Sequence, residues 1–207
     1  MSNVVKLALI YYSSTGTGTE IARTMAGAAE AAGAEVRVRK VAELAPQAAI
    51  DSNPLWAAHD AATADVPAPT PEDLSWADAV IFGSPTRFGN IAAQLKQFFD
   101  TLSPLWQAGG LADKVYSGFT SAGTRQGGHE STLLAMYNTI HHFGGIIVPP
   151  GYTDPVKFVD GNPYGTSHHA VWGPDLGSID DDTRNAARHQ AERVVRIARA
   201  LKPKSAT

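Results

Sequence analysis

Seven consecutive residues, Ser13, Ser14, Thr15, Gly16, Thr17, Gly18 and Thr19, follow the apolar run Leu7–Tyr12 with no charge among them. Five hydroxyls and two glycines at the break between an apolar strand pattern and a helical one make a cradle for a phosphate, built from backbone N–H groups and hydroxyls at a helix N-terminus. Two further loops carry unusual chemistry. Ser84, Pro85, Thr86, Arg87, Phe88, Gly89 and Asn90 place one cation and one aromatic ring between a rigid proline and a flexible glycine. Ser121, Ala122, Gly123, Thr124, Arg125, Gln126, Gly127 and Gly128 supply donors again.

The pattern excludes two common phosphate binders. Gly16 and Gly18 fit the first two positions of a dinucleotide fingerprint, but the third falls on Ile21, and the region that should carry an acidic ribose ligand reads Arg37-Val38-Arg39-Lys40. No lysine follows the first loop, so a nucleoside-triphosphate loop fails too. A neutral pocket for a terminal phosphomonoester remains, and FMN presents one. An aromatic ring such as Phe88 can cover a flavin, and Arg87 can offset negative charge on its pyrimidine end. Taken alone, an arginine paired with an acid and a phenylalanine in the core account for those two residues equally well.

The elements that position these loops alternate in period. Val4–Tyr12 and Ala77–Gly83 read as buried strands, Ala34–Val41 as an edge strand, Lys114–Thr120 and Gly145–Val148 as further strands. Glu20–Ala32, Ile91–Leu102, Ser131–Phe143 and Asp180–Leu201 read as helices. Residues 42–76 are rich in Ala and Pro and carry no clear period, and residues 149–178 read as one long loop. Five strands with intervening helices predict a single α/β domain over 1–207, a doubly wound parallel sheet with helices on both faces. All three loops follow strand ends, where such sheets bind ligands.

Composition narrows the class. The 207 residues carry a net charge of −3, which does not suggest nucleic acid or an anionic membrane surface as partner. No apolar run reaches membrane-spanning length and no secretory signal precedes Val4, so a cytoplasmic protein is expected. With no cysteine there is no disulfide, thiolate zinc site or thiol nucleophile. No histidine spacing suits a metal; His168 and His169 lack further ligands.

The chain resembles the WrbA-type NAD(P)H:quinone oxidoreductases of the flavodoxin-like fold. The matching residues are Tyr11, Tyr12, Ser13 and Gly16, the block Phe82–Asn90, Leu105-Trp106, Ser121 with Gly123-Thr124 and Gly127-Gly128, His142, Val148-Pro149 with Gly151-Tyr152, and Pro163-Tyr164-Gly165. The Pro-Thr-Arg-Phe-Gly-Asn block is the most specific. The resemblance implies a flavodoxin-like sheet, tightly bound FMN, two-electron reduction of quinones by NAD(P)H, and a homotetramer. It assigns FMN contacts to residues 13–18, to the loop Thr86–Asn90, to residues 121–127 and to His142, which could also bond a quinone oxygen. Trp106 falls to the quinone pocket and Thr15 to the nicotinamide. Three departures stand out: Thr15 where the family often has Tyr, Ala122 for a usual Thr, and a third loop one residue longer near Arg125-Gln126.

Two other classes share this topology. A protein-docking electron carrier is typically strongly acidic, which this chain is not. A phosphoacceptor receiver needs an aspartate where Ser84-Pro85 ends the strand. The long segment 149–178 and Trp106 favour an enzyme, with the segment expected at a subunit contact.

Overall fold

The computed structural model describes residues 4–171, 173 and 175–202. Six strands form one sheet: β1 (Val5–Tyr11), β2 (Ala34–Lys40), β3 (Ala79–Pro85), β4 (Val115–Ala122), β5 (Ile146–Ile147) and β6 (Thr166–His169). All pairings are parallel, in the order β2-β1-β3-β4-β5, with β6 also on β4. The chain leaves β1 toward β2 and returns on its other side as β3, so strand order reverses between β1 and β3. Loops at the carboxyl ends of those two strands must diverge there, leaving a crevice.

β1, β3 and β4 are buried almost throughout because helices cover both faces. Leu7, Leu9, Ile81 and Phe119 face α1 (Thr17–Ala31) and the last helix, α9 (Asp181–Leu201), while Ala8, Ile10, Phe82 and Tyr116 face α5 (Ala93–Asp100) and α7 (His129–Phe143). The edge strand β2 is half-buried along most of its length, with Val36 and Val38 packed on the α1–α9 side. Its Arg37 and Arg39 reach the buried carboxylate of Asp73 in α4 (Pro71–Trp76). Burial alone would raise the Asp73 carboxyl, but hydrogen bonds from Arg39, the Thr70 N–H and Arg37 outweigh it and hold it below the usual range.

Two segments differ from expectation. Residues 42–76 hold three short helices, α2 (Gln47–Asp51), α3 (Pro54–Ala62) and α4, each too short to show a period. The segment 149–178 is not one loop: it contains α8 (Val156–Asp160) and β6. The fifth sheet position is therefore shared. β5 pairs with Val115 and Tyr116 near the start of β4, and β6 with Phe119–Ala122 at its end. The polar sequence Thr-Ser-His-His hides β6, because its burial comes from partners rather than apolar side chains.

Gln190 of α9 is the chief partner. It is fully buried, its Oε1 accepts from the Thr166 N–H (2.6 Å) and hydroxyl (2.8 Å), and its Nε2 donates to Ser117 Oγ and Gly118 O (2.8 Å each). One amide thus ties β6, β4 and α9 together. Among the described residues no helix is long and apolar enough to cross a membrane.

Gln190→Leu is expected to lower unfolding stability by about 2–5 kcal/mol, since several buried polar groups lose their partner at about 1–3 kcal/mol each. Urea unfolding checks this: the midpoint falls while the slope stays the same.

Candidate functional site

The cleft opens where strand order reverses. It has a volume of about 320 Å³ and is lined by the first loop (Ser13, Ser14, Thr15, Thr17, Gly18), by Pro85, Thr86 and Arg87 after β3, and by Ser121, Ala122 and Gly123 at the end of β4. The three loops singled out in the sequence therefore converge. Asn53, Trp56, Ala170 and Leu176 complete the lining.

The first loop is a strand-to-helix turn without side-chain capping at Gly16, so the first N–H groups of α1 are not taken by a side-chain cap. Ser13 Oγ accepts from the Gly16 N–H at 3.1 Å, which folds the loop over its own hydroxyl. Thr17 is buried, and its Oγ1 has no hydrogen-bond partner among the described residues. A buried hydroxyl without a partner costs about 1–3 kcal/mol, and a ligand oxygen in the cleft would supply what it lacks. Open N–H groups, an orphaned hydroxyl and no charged side chain among residues 13–19 fit a phosphate.

Neighbouring elements brace this loop. α3 begins at Asn53, whose Oδ1 accepts from the N–H groups of Leu55 and Trp56. Its His59 donates from Nδ1 to Ser14 O (3.1 Å), because a carbonyl only accepts, and Nε2 then accepts from the Thr19 hydroxyl (2.7 Å). Burial, with Lys40 nearby, lowers the His59 pKa and keeps the ring neutral at pH 7. Glu43 accepts from Tyr12 Oη (2.7 Å), Trp56 Nε1 (3.1 Å) and Gln94 Nε2 (2.6 Å), fixing the end of β1, α3 and α5 at one point. Burial alone would raise the Glu43 carboxyl; the bonds from Tyr12 and Gln94 and from the N–H groups of Ala45 and Leu44 lower it overall. Burial, reinforced by Glu43, pushes the Tyr12 hydroxyl up. Gly177 lies on the loop from outside: a Cβ there would stand 2.4 Å from Thr15 O, so only glycine fits.

The second loop is a two-residue turn. Arg87 and Asn90 exchange N–H···O bonds of 2.7 and 3.0 Å, with Phe88 and Gly89 both at positive φ (54° and 78°). That conformation is strained for phenylalanine, and it holds the ring fully exposed. Arg87 donates to Thr86 O and pairs with no carboxylate among the described residues. Neither residue follows the bland alternative of a core ring and an ion-paired arginine.

Other expected residues are placed elsewhere. Arg125 and Gln126 line a neighbouring cavity, and Thr124, Gly127, Gly89 and Asn90 do not line the cleft. Trp106 sits in a short helix, α6 (Ser103–Gln107), and its Nε1 donates to His142 O at 2.7 Å. α7 starts beside the cleft loops, so His142, 13 residues after His129, is about 20 Å along the helix at 1.5 Å per residue. The exposed Trp106–His142 pair lies at the amino-terminal edge of the sheet, away from its own chain's cleft. Asn53, Trp56, His59 and Glu43 were not anticipated; the Asn-Pro start of α3 was the available signal. No group of three or more His, Asp or Glu among the described residues is arranged to hold a metal.

Residues 5–154 match the family described as NADPH-dependent FMN reductase. The chain belongs to that oxidoreductase family. A protein of Deinococcus radiodurans named NAD(P)H dehydrogenase (quinone) is 48% identical over 202 residues, covering 97% of this chain and 99% of the relative. One of the same name from Aromatoleum aromaticum is 38% identical over 204 residues, covering 95% and 97%. Among solved structures, a WrbA-like flavodoxin from Agrobacterium tumefaciens superimposes with a TM-score of 0.68 at 23% identity, covering 96% and 99%. The Megasphaera elsdenii flavodoxin gives 0.56 at 16%, covering 92% and 98%. Those two likenesses establish the flavodoxin-like fold.

Thr17→Val is expected to weaken flavin binding by about tenfold, the equivalent of one hydrogen bond. Fluorescence titration of the stripped protein checks it; unchanged affinity would show that the Thr17 hydroxyl does not meet the ligand.

Proposed function

We propose that the chain is an FMN-dependent NAD(P)H:quinone oxidoreductase. The observation that carries the reading is the uncharged cradle at the start of α1, with its orphaned Thr17 hydroxyl, opening onto Arg87. The names of the relatives at 38–48% identity support the same activity. FMN held in this cleft supplies two-electron transfer between NAD(P)H and a quinone.

The chain's own groups bind and orient. Residues 13–18 hold the phosphate through N–H groups and hydroxyls. Thr86 and Arg87 on one side, and Ser121, Ala122 and Gly123 on the other, flank the ring. Thr86 is fixed for this by its N–H bond to Ser121 O (2.8 Å) and by Thr132 Oγ1, which donates to its hydroxyl (2.8 Å). Arg87 places an unpaired cation near the pyrimidine end. Thr15 at the mouth contacts the nicotinamide. No general acid is required, since positioning of the donor and acceptor rings lowers the barrier.

Trp106 and His142 enter this reading through a second copy of the chain. They are bonded to one another and exposed at the far edge, so they can wall a quinone pocket only in a neighbouring subunit. The insertion between β5 and β6 offers the contact surface. Tyr152 and Phe158 stack at 5.0 Å and are 51% and 71% exposed, with Val159 beside Phe158 at 64%. Contiguous exposed apolar groups mark an interaction site, and a homotetramer buries them.

Two outcomes test the proposal. Donor and quinone use one cleft in turn, so initial-rate plots should be parallel; intersecting lines would exclude alternating occupancy. Light scattering should report a tetramer, and Phe158→Asp a smaller species that loses most quinone reduction. A monomeric wild type with full activity would contradict completion of the site in trans.

A further inference from the structure

A second cavity of about 510 Å³ lies on the far side of the loop 123–128 that walls the cleft. Arg125, the first turn of α7, Asp160, Asn162 and Ser167 line it. One hydrogen bond links their linings: Thr132, next in sequence to Ser131 of the cavity, donates to the hydroxyl of Thr86 of the cleft.

Its lining is built to receive a polar group. α7 is 15 residues long, and its N-cap Gly128 offers no side-chain oxygen, so first-turn N–H groups face the cavity without a side-chain cap. Independently, Asn162 is only 4% exposed, and its Oδ1 is engaged by the Tyr164 N–H (3.1 Å) while its Nδ2 has no partner among the described residues. A native interior rarely leaves such a donor unmet. The charge of Asp160 is offset by the ion pair of its Oδ2 with the buried Lys157, and its Oδ1, without a partner among the described residues, is an acceptor for a ligand hydroxyl. Arg125 adds a cation from the lengthened part of the third loop, and Glu130 adds an acceptor at the rim. Donors grouped around a helix N-terminus suit a phosphate, and a carboxylate at the edge suits sugar hydroxyls.

We infer that this cavity is the subsite for the adenosine-diphosphate half of NAD(P)H, with the nicotinamide half crossing the loop 123–128 into the cleft. The inference rests on the donor assignment made under the proposed function. It gives Arg125 a role in donor selection instead of flavin binding, gives Asn162 a role in the same site, and uses the cavity that the insertion between β5 and β6 encloses.

Two measurements test it. Calorimetric titration of the FMN-loaded protein with ADP should show binding that weakens at least tenfold in Arg125→Glu and in Asn162→Asp. Arg125 is exposed, so its variant keeps the test open if the Asn162 variant does not fold. In steady state, the wild type should favour NADH over reduced nicotinamide mononucleotide, which lacks the adenosine phosphate, by at least tenfold in KM, and both variants should collapse that preference. ADP binding that is absent from the wild type, or unchanged in both variants, overturns the subsite. So does equal use of the two donors by the wild type, which would leave the oxidoreductase reading intact. Oxidation of neither donor would instead overturn that reading, and the ADP titration would still judge the cavity by itself.

Discussion

Everything in the site depends on one constraint: the first turn of α1 must stay open at the point where strand order reverses. A helix N-terminus leaves backbone N–H groups without intrahelical partners, and here Gly16 provides no side chain to take them. An open turn held only by its own residues would close on itself or on water. It is kept open from three sides. His59 fixes Ser14 and Thr19, the Glu43 carboxylate fixes Tyr12 and Trp56, and Gly177 lies directly on Thr15. None of the three brings a charge into residues 13–19. The cradle can therefore hold a phosphate by dipoles and hydrogen bonds, with no lysine or arginine of its own.

The fifth sheet position shows how the same scaffold gains further surface. Splitting it into β5 and β6 inserts α8, and the insertion needs a polar pin because β6 has almost no apolar side chain to bury. Gln190 is that pin. The consequence reaches the cleft, since Ala170, just beyond β6, donates its N–H to Ala122 O at 2.8 Å and lines the space opposite the first loop. The insertion also creates the exposed Tyr152–Phe158 stack and the second cavity. One structural addition thus bears on the cleft wall and on the outward face.

Much of this was legible in the sequence. The apolar runs of β1, β3 and β4 are buried on both faces and announce themselves, and loops that follow such runs must gather at one sheet edge. What could not be read follows from how the elements are held. β6 and α8 are stabilised by a buried amide and a buried ion pair, Lys157 with Asp160, and neither leaves a periodic trace. Residues 42–76 fold into helices of no more than about two and a half turns, so the bracing by His59 and Glu43 had no period to betray it. Arg87 and Phe88 were evenly balanced until the turn geometry placed both side chains outward. The flavin role expected for His142 and the quinone-pocket role expected for Trp106 came from resemblance, and resemblance carries no information about which end of α7 faces its own cleft.

The most direct test concerns the cradle. Calorimetric titration of the flavin-free protein with FMN and with riboflavin isolates the phosphate, because the two ligands share the same ring and ribityl chain. Anchoring by the open turn of α1 predicts that FMN binds at least about 100-fold more tightly, a difference of roughly 2.7 kcal/mol. Equal affinities would contradict it and would mean that the ring, rather than the phosphate, holds the ligand.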